Sequence, residues 1–161
     1  DENRFKFSRP LLDSKEDKHR FSFSFSGLKT AVRREIEKLI GEDFSHLTSP
    51  QKLNEKDKAD ICASFQKITC EIILNRLQNT LNSYSPLTSD LVLAGGVAAN
   101  RYIFSHLQNW AETRGIKVTT PPVHLCTDNA VMVAWAGVEK LKLGMSDNLN
   151  FKPKARWELG S

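Results

Sequence analysis

Asp90-Leu91-Val92-Leu93-Ala94-Gly95-Gly96-Val97-Ala98-Ala99-Asn100 is the stretch that decides the fold. Its first five residues are a short apolar run, as in a strand covered on both faces. Gly95-Gly96 ends the run abruptly. Ile103, Leu107, Trp110 and Ala111 then recur at helical spacing, and Gly115 supplies a stop. Ile116-Lys117-Val118-Thr119-Thr120 predicts a second strand, closed by Pro121-Pro122. A last helix opens near Asp128 and runs through Met132, Val133, Trp135, Ala136 and Val138 to about Gly144. It is apolar nearly all round, which predicts deep burial.

Working upstream, Leu28, Ala31, Val32, Ile36, Leu39 and Ile40 predict a helix, capped by Ser26 and stopped by Gly41. A polar loop covers 42–56, with Pro50. A long helix follows from about 57 to 83, its stripe made of Ile61, Phe65, Ile68, Ile72, Leu77 and Leu81. Pro86 closes that region. Phe21-Ser22-Phe23-Ser24-Phe25-Ser26 alternates strictly, so three Phe face one way, as over a core. Residues 1–20 are polar and read as a surface loop or a poorly ordered lead-in. The tail 145–161 reads as irregular, with Trp157 as an anchor. The organisation expected is therefore a lead-in and extended segment (1–26), an α/β portion (27–144) and a C-terminal tail.

Helix, helix, strand, helix, strand, helix is an α/β order with parallel strands. Two strands read as buried on both faces do not make a sheet with a middle. The missing neighbours must come from elsewhere, so the chain is expected to be the C-terminal part of a larger α/β protein, or to fold on a partner. The opening Asp1-Glu2-Asn3-Arg4, with no Met and no signal pattern, agrees with that expectation.

Composition bounds the function. The 161 residues carry 23 Lys plus Arg against 19 Asp plus Glu, a net charge of +4 that permits an acidic or nucleic-acid partner without demanding one. At 40% hydrophobic and 26% charged the chain is an ordinary globular sequence. No apolar run approaches the roughly 20 residues of a membrane span, so no membrane partner is expected. Cys62, Cys70 and Cys126 form no CxxC pair, which argues against a disulfide framework and a zinc cluster. Cys62 and Cys70 lie in a helical pattern and read as buried thiols.

Two motifs stand out as chemistry. Gly95-Gly96-Val97-Ala98-Ala99-Asn100 joins a strand to a helix. Its glycines let backbone approach a ligand, helix-start N–H groups favour an anion, and Asn100 offers a donor and an acceptor. A tight turn is the plain alternative. Cys126-Thr127-Asp128-Asn129-Ala130 opens the last helix, where capping alone explains the polar residues. The functional reading gives Asp128 a metal ion at the carboxyl end of the sheet. Both motifs face one crevice. The histidines show no metal spacing, and Walker A, HExxH and GxSxG motifs are absent. Lys29, Arg33, Arg34 and Lys38, and Lys140, Lys142, Lys152, Lys154 and Arg156, read as solvated faces or as phosphate contacts with RNA.

Ser24-Phe25-Ser26-Gly27-Leu28-Lys29-Thr30, Gly95-Gly96-Val97-Ala98-Ala99-Asn100 and Cys126-Thr127-Asp128-Asn129-Ala130, in that order, resemble three signatures of the tRNA threonylcarbamoyladenosine transferases, the TsaD family. Arg9-Pro10 and Arg156-Trp157 resemble its flanking segments. The resemblance implies the two-lobed fold of actin, hexokinase and the heat-shock ATPases (ASKHA), with this chain the later part of the second lobe and the N-terminal lobe missing. It implies transfer of threonylcarbamoyl from threonylcarbamoyl-adenylate to N6 of adenosine 37 in tRNAs reading ANN codons. Asn100 would contact the adenylate, Gly95 and Gly96 would line the nucleotide site with backbone, and Asp128 would ligate one divalent metal ion, iron or zinc. The family's two metal-binding histidines belong to the first lobe, so the chain alone is expected to be inactive. The long polar loops and lysine content incline the expectation to a mitochondrial homodimer, with a cytoplasmic member as the alternative. The competing functions are an ATPase or sugar kinase of the same fold and a non-catalytic nucleotide-binding scaffold.

Overall fold

A 29-residue helix, α2 (Glu55–Ser83), is the spine of the chain. Asn54 starts it: its Oδ1 accepts from the Asp57 N–H at 2.7 Å, and Glu55 and Asp57 place negative charge in the first turn, where the helix dipole favours it. The computed structural model describes residues 1–9, 11–12, 17–41, 43, 53–84, 89–150 and 152. The charge run at 13–16, most of the loop at 42–52, Pro10, Pro86, Lys154, Arg156 and Trp157 lie outside them.

α2 is buried on two faces. Ile61, Ile68 and Ile72 pack with Phe7 and with Leu28 of α1 (Leu28–Ile40) in one cluster. Cys70, two positions from both Ile68 and Ile72, faces the other way and packs with Ile103 and Leu107 of α3 (Arg101–Glu112). Burial pushes the Cys70 thiol up to about 11, with Glu71 adding to the effect, so it is an inert core group. Ile72 and Leu107 are fully enclosed, and each contributes roughly 1.5–3 kcal/mol by leaving water.

The sheet is the expected parallel pair, β1 (Asp90–Val92) and β2 (Lys117–Thr119), with Leu91 opposite Val118. Lys117 N donates to Ser89 O at 2.8 Å and Leu93 N to Thr119 O at 2.9 Å, which extends the pairing at both ends. The strands are shorter than the apolar runs, and they are not covered on both faces. Leu91 and Val118 are half-buried, while Val92 is exposed.

Two other apolar expectations meet the same absence of a covering layer. α4 (Ala130–Lys142), predicted to be deeply buried, has no buried residue; Trp135 is 67% exposed and Leu141 70%. The alternation at 21–26 holds with the opposite sense: Phe21, Phe23 and Phe25 face outward and Ser22 and Ser24 are the more buried residues. Periodicity says which residues share a face. It does not say that the layer which covers that face is present among the described residues.

The start of the chain corrects the reading in the other direction. Residues 1–9 are not a loose lead-in, because α2 holds them. The Arg4 guanidinium pairs with Asp57 at 2.6 Å and Asp60 at 2.8 Å, Phe5 N donates to the buried Ser64 Oγ, and Phe7 enters the core. Tyr102 of α3 donates to Glu2 at 2.8 Å; burial, then Glu2, pushes its phenol up to about 12. Lys67 also reaches Asn3. Two smaller expectations change as well. Cys62 is exposed, not buried. Gly27, not Ser26, occupies the α1 cap, at φ +84°, a conformation side-chain-bearing residues rarely adopt. No helix among the described residues is long and apolar enough to cross a membrane.

Asp60 is the electrostatic anchor of this arm. Lys56, then Arg4, hold its carboxyl well below the usual carboxylate range. A depressed folded value means its contribution is complete above the unfolded value of about 4 and lost as pH falls below it. The acid-side fall in melting midpoint should therefore be smaller in Asp60→Asn than in wild type, read by thermal melts from about pH 2 to 6. In the core, Ile72→Ala should cost about 2–5 kcal/mol in denaturant unfolding, because the cavity opens between α1 and α2 with nothing flexible to fill it.

Candidate functional site

The Gly95–Asn100 turn divides two cavities. Gly95 has φ +84°, where an L side chain is strained, and this lets the chain leave β1 sharply. Gly96–Ala99 then forms a 3-10 turn, and α3 begins only after it. Asn100 is the α3 cap: its Oδ1 accepts from Ile103 N at 3.2 Å. The acceptor expected to face a ligand is thus committed to the helix. The Nδ2 donor has no partner among the described residues, and Asn100 lines a cavity of about 740 Å³ between α1 and α2.

That cavity joins the first and second signatures. Lys29 and Thr30 of α1 share it with Asn100, and Cys62, Phe65 and Gln66 of α2 form its other wall. The α2 contribution was missed from the sequence. Its signal was the i, i+3, i+4 spacing of those three residues, hidden inside what reads as a core stripe. Lys29 makes no ion pair among the described residues. Arg33, at the same mouth, is held by Glu37 at 2.8 Å and Asp43 at 3.2 Å, and Glu37 raises its pKa further. Lys38 is tied to Glu35 at 2.6 Å and Lys142 to Glu139 at 2.9 Å, so the basic clusters are partly neutralised faces.

The second cavity, about 500 Å³, joins the other end of the turn to the third signature: Gly95 lies with Thr127, Asp128, Asn129 and, from α4, Met132 and Trp135. The roles within Cys126–Asn129 separate cleanly. The buried Cys126 thiol donates to the Pro121 and Pro122 carbonyls at 3.5 and 3.6 Å, closing the loop after β2. A methyl group added at Gly96 would touch Thr127 Cγ2 at 4.0 Å, so the two signatures lie side by side. Asn129, not Asp128, caps α4, accepting from Met132 N at 2.9 Å and donating to Thr127 O at 2.9 Å. Capping therefore does not explain Asp128, which is exposed and has no hydrogen-bond or ion-pair partner among the described residues. His124 lies exposed in the preceding 3-10 turn, Val123–Leu125.

Among the described residues, no group of three His, Cys, Asp or Glu side chains could hold a metal ion. One exposed carboxylate binds a transition metal poorly, so Asp128 does not fit a complete centre by itself.

The sequence is similar to those of known proteins. The family model for tRNA N6-adenosine threonylcarbamoyltransferase, TsaD, matches residues 1–135. This chain belongs to the TsaD family. A relative of that name from Rhodospirillum rubrum is 43% identical over 162 residues, covering 99% of this chain and 41% of the relative. One from Rickettsia massiliae is 40% identical over 164 residues, covering 99% and 43%, and one from Rhizobium johnstonii is 42% identical over 166, covering 99% and 41%. The chain thus spans about two-fifths of the length of these TsaD relatives, and it matches their C-terminal parts.

The cap role of Asn100 can be tested by itself. Asn100→Asp keeps the cap acceptor and places charge where the helix dipole favours it, so the melting midpoint should hold. Asn100→Ala should lose about 1 kcal/mol of stability, read by thermal melts.

Proposed function

We propose that the protein carrying this chain transfers a threonylcarbamoyl group from threonylcarbamoyl-adenylate to N6 of adenosine 37 in tRNAs reading ANN codons. The observation that supports this best is the meeting of all three signatures at one turn: Lys29 and Thr30 beside Asn100 at one end, Asp128 beside Gly95 at the other. Membership of the TsaD family supplies the reaction class. The reaction joins two substrates, and two adjoining cavities on one turn suit that need.

In this reading the adenylate occupies the cavity at Asn100, whose Nδ2 donates to an acceptor on it, while Gly95 lines the second cavity, where its missing side chain lets a substrate approach backbone. Lys29 is placed to offset phosphate charge. The N6 amine of the tRNA attacks the threonylcarbamoyl carbonyl carbon, the bond to the phosphate oxygen breaks, AMP leaves, and N6 gives up a proton. An aromatic amine is a weak nucleophile, so holding both reactants on one turn supplies much of the rate. Asp128 is this chain's share of a divalent iron or zinc site, the other ligands coming from outside the chain. Bound there, the metal would supply Lewis-acid polarisation of the carbonyl.

The rest of the polypeptide is also the partner proposed for the exposed faces of α4 and of Phe21, Phe23 and Phe25. Relatives more than twice as long, and a two-stranded sheet open on one face, support this. Asp128, exposed at the second cavity and without a partner among the described residues, is available to a ligand, which favours an enzyme over a scaffold.

The test uses the full-length protein with threonylcarbamoyl-adenylate and an unmodified ANN-decoding tRNA, with modified adenosine read by mass spectrometry. Wild type should modify, and Asp128→Ala should lose about a hundredfold or more in rate with its fold and AMP binding intact. Equal activity in both would reduce Asp128 to a bystander. No activity in a folded, metal-loaded wild type would overturn the reading.

A further inference from the structure

One backbone oxygen collects two side chains of α2. Arg76 Nη1 donates to Arg20 O at 2.9 Å, and Asn79 Nδ2 donates to the same oxygen at 2.8 Å. Asn75 Oδ1 braces both, accepting from Arg76 at 3.2 Å and from Asn79 at 3.3 Å. Arg76 is only 3% exposed, and its Nε and Nη2 have no partner among the described residues. Burying a guanidinium costs desolvation that its hydrogen bonds must offset.

What the oxygen controls lies downstream. Arg20 begins the segment that leads into α1. The described hydrogen bonds within that segment are local: Ser22 N to His19 O, Ser22 Oγ to Lys18 O, Ser26 N to Ser24 Oγ, and Leu28 N to Phe25 O. The Phe side chains point outward, and the contact nearest the clamp is Phe21 against Tyr84, with ring centres 5.6 Å apart. The segment is therefore a strap tied at two ends, by the clamp on Arg20 O and by Leu28, which is 1% exposed in the core. Lys29 and Thr30 follow immediately and line the cavity with Asn100.

We propose that Arg76 and Asn79 are positioning residues, which clamp the Arg20 carbonyl and so set where the strap delivers Lys29 and Thr30 to the cavity between α1 and α2. They touch no substrate. They act from the opposite end of a strap whose other described hydrogen bonds are local, and their lever is geometric. The inference rests on the transferase reading for its kinetic consequence, and on the structure alone for its mechanical one.

The experiment uses the full-length protein as wild type, Asn79→Ala, Arg76→Leu, Arg76→Lys and the double variant Arg76→Leu with Asn79→Ala. Amide hydrogen exchange over 21–28 should quicken in both single losses while exchange over 103–111 in α3 holds. KM for threonylcarbamoyl-adenylate and Kd for AMP should rise roughly tenfold, with kcat nearly unchanged, because a displaced binding wall is lost in both ground and transition state. Arg76→Lys, which keeps one donor, should recover most of the loss. The double variant should be little worse than the poorer single one, since both donors serve one oxygen. Should Arg76→Leu fail to fold, Asn79→Ala carries the test, its side chain being only half-buried. Unchanged exchange at 21–28 in Asn79→Ala would overturn the clamp, and faster exchange with unchanged AMP affinity would overturn its positioning role. An inactive wild type would sink the transferase reading and leave the clamp to be judged on exchange and AMP binding.

Discussion

The two-sided burial of α2 is the constraint on which the rest of the structure depends. Ile61, Ile68 and Ile72 require a layer on one side, which α1 and the arm at Phe7 supply; Cys70 requires one on the other, which α3 supplies. A helix with both faces covered cannot roll, because turning it would expose one apolar set in order to bury the other better. The elements that carry Lys29, Thr30 and Asn100 are positioned from it. α1 brings Lys29 and Thr30 to one flank, and α3, whose cap is Asn100, is pressed against the other.

The candidate site follows an economical logic of side-chain use. Two asparagines and a thiol hold backbone in place, and what remains after that work is open to a ligand. Asn100 gives its oxygen to α3 and keeps its amide donor. Asn129 gives its oxygen to α4 and its amide to the loop, which frees Asp128 from capping. Cys126 supplies a donor to the carbonyls of two consecutive prolines, whose own nitrogens carry no hydrogen to build a ladder. Such division matters because an amide or carboxylate already engaged in capping must break that bond before it can serve a substrate.

The apolar surface left open belongs to the same picture. α4 and the outward Phe row carry the composition of core elements, yet both face solvent among the described residues. Exposed apolar area on this scale marks an interface. The chain covers about two-fifths of the length of its TsaD relatives, and the sheet has two strands among the described residues, which agrees with the proposal that the rest of the polypeptide covers these faces.

What the sequence determined by itself was the local and the periodic: the four α-helices and two parallel strands found among the described residues, the stop at Gly41, the inward stripe of Ile61, Ile68 and Ile72, and the placement of both candidate motifs after the carboxyl ends of the strands. Those depend on spacing and on turn residues, which act over a few positions. The three signatures, met in order, also carried the family. What only the tertiary structure decided was which way each pattern faced and which polar atoms stayed free. The Phe row turned outward, residues 1–9 were tied down by Arg4 and Phe7, Asn129 took the cap that Asp128 could have taken, and the buried Arg76 reached a carbonyl 56 positions away. The physical reason is that a pattern sets the angle between side chains on one element, whereas burial and hydrogen-bond partners are set by what other elements bring against it.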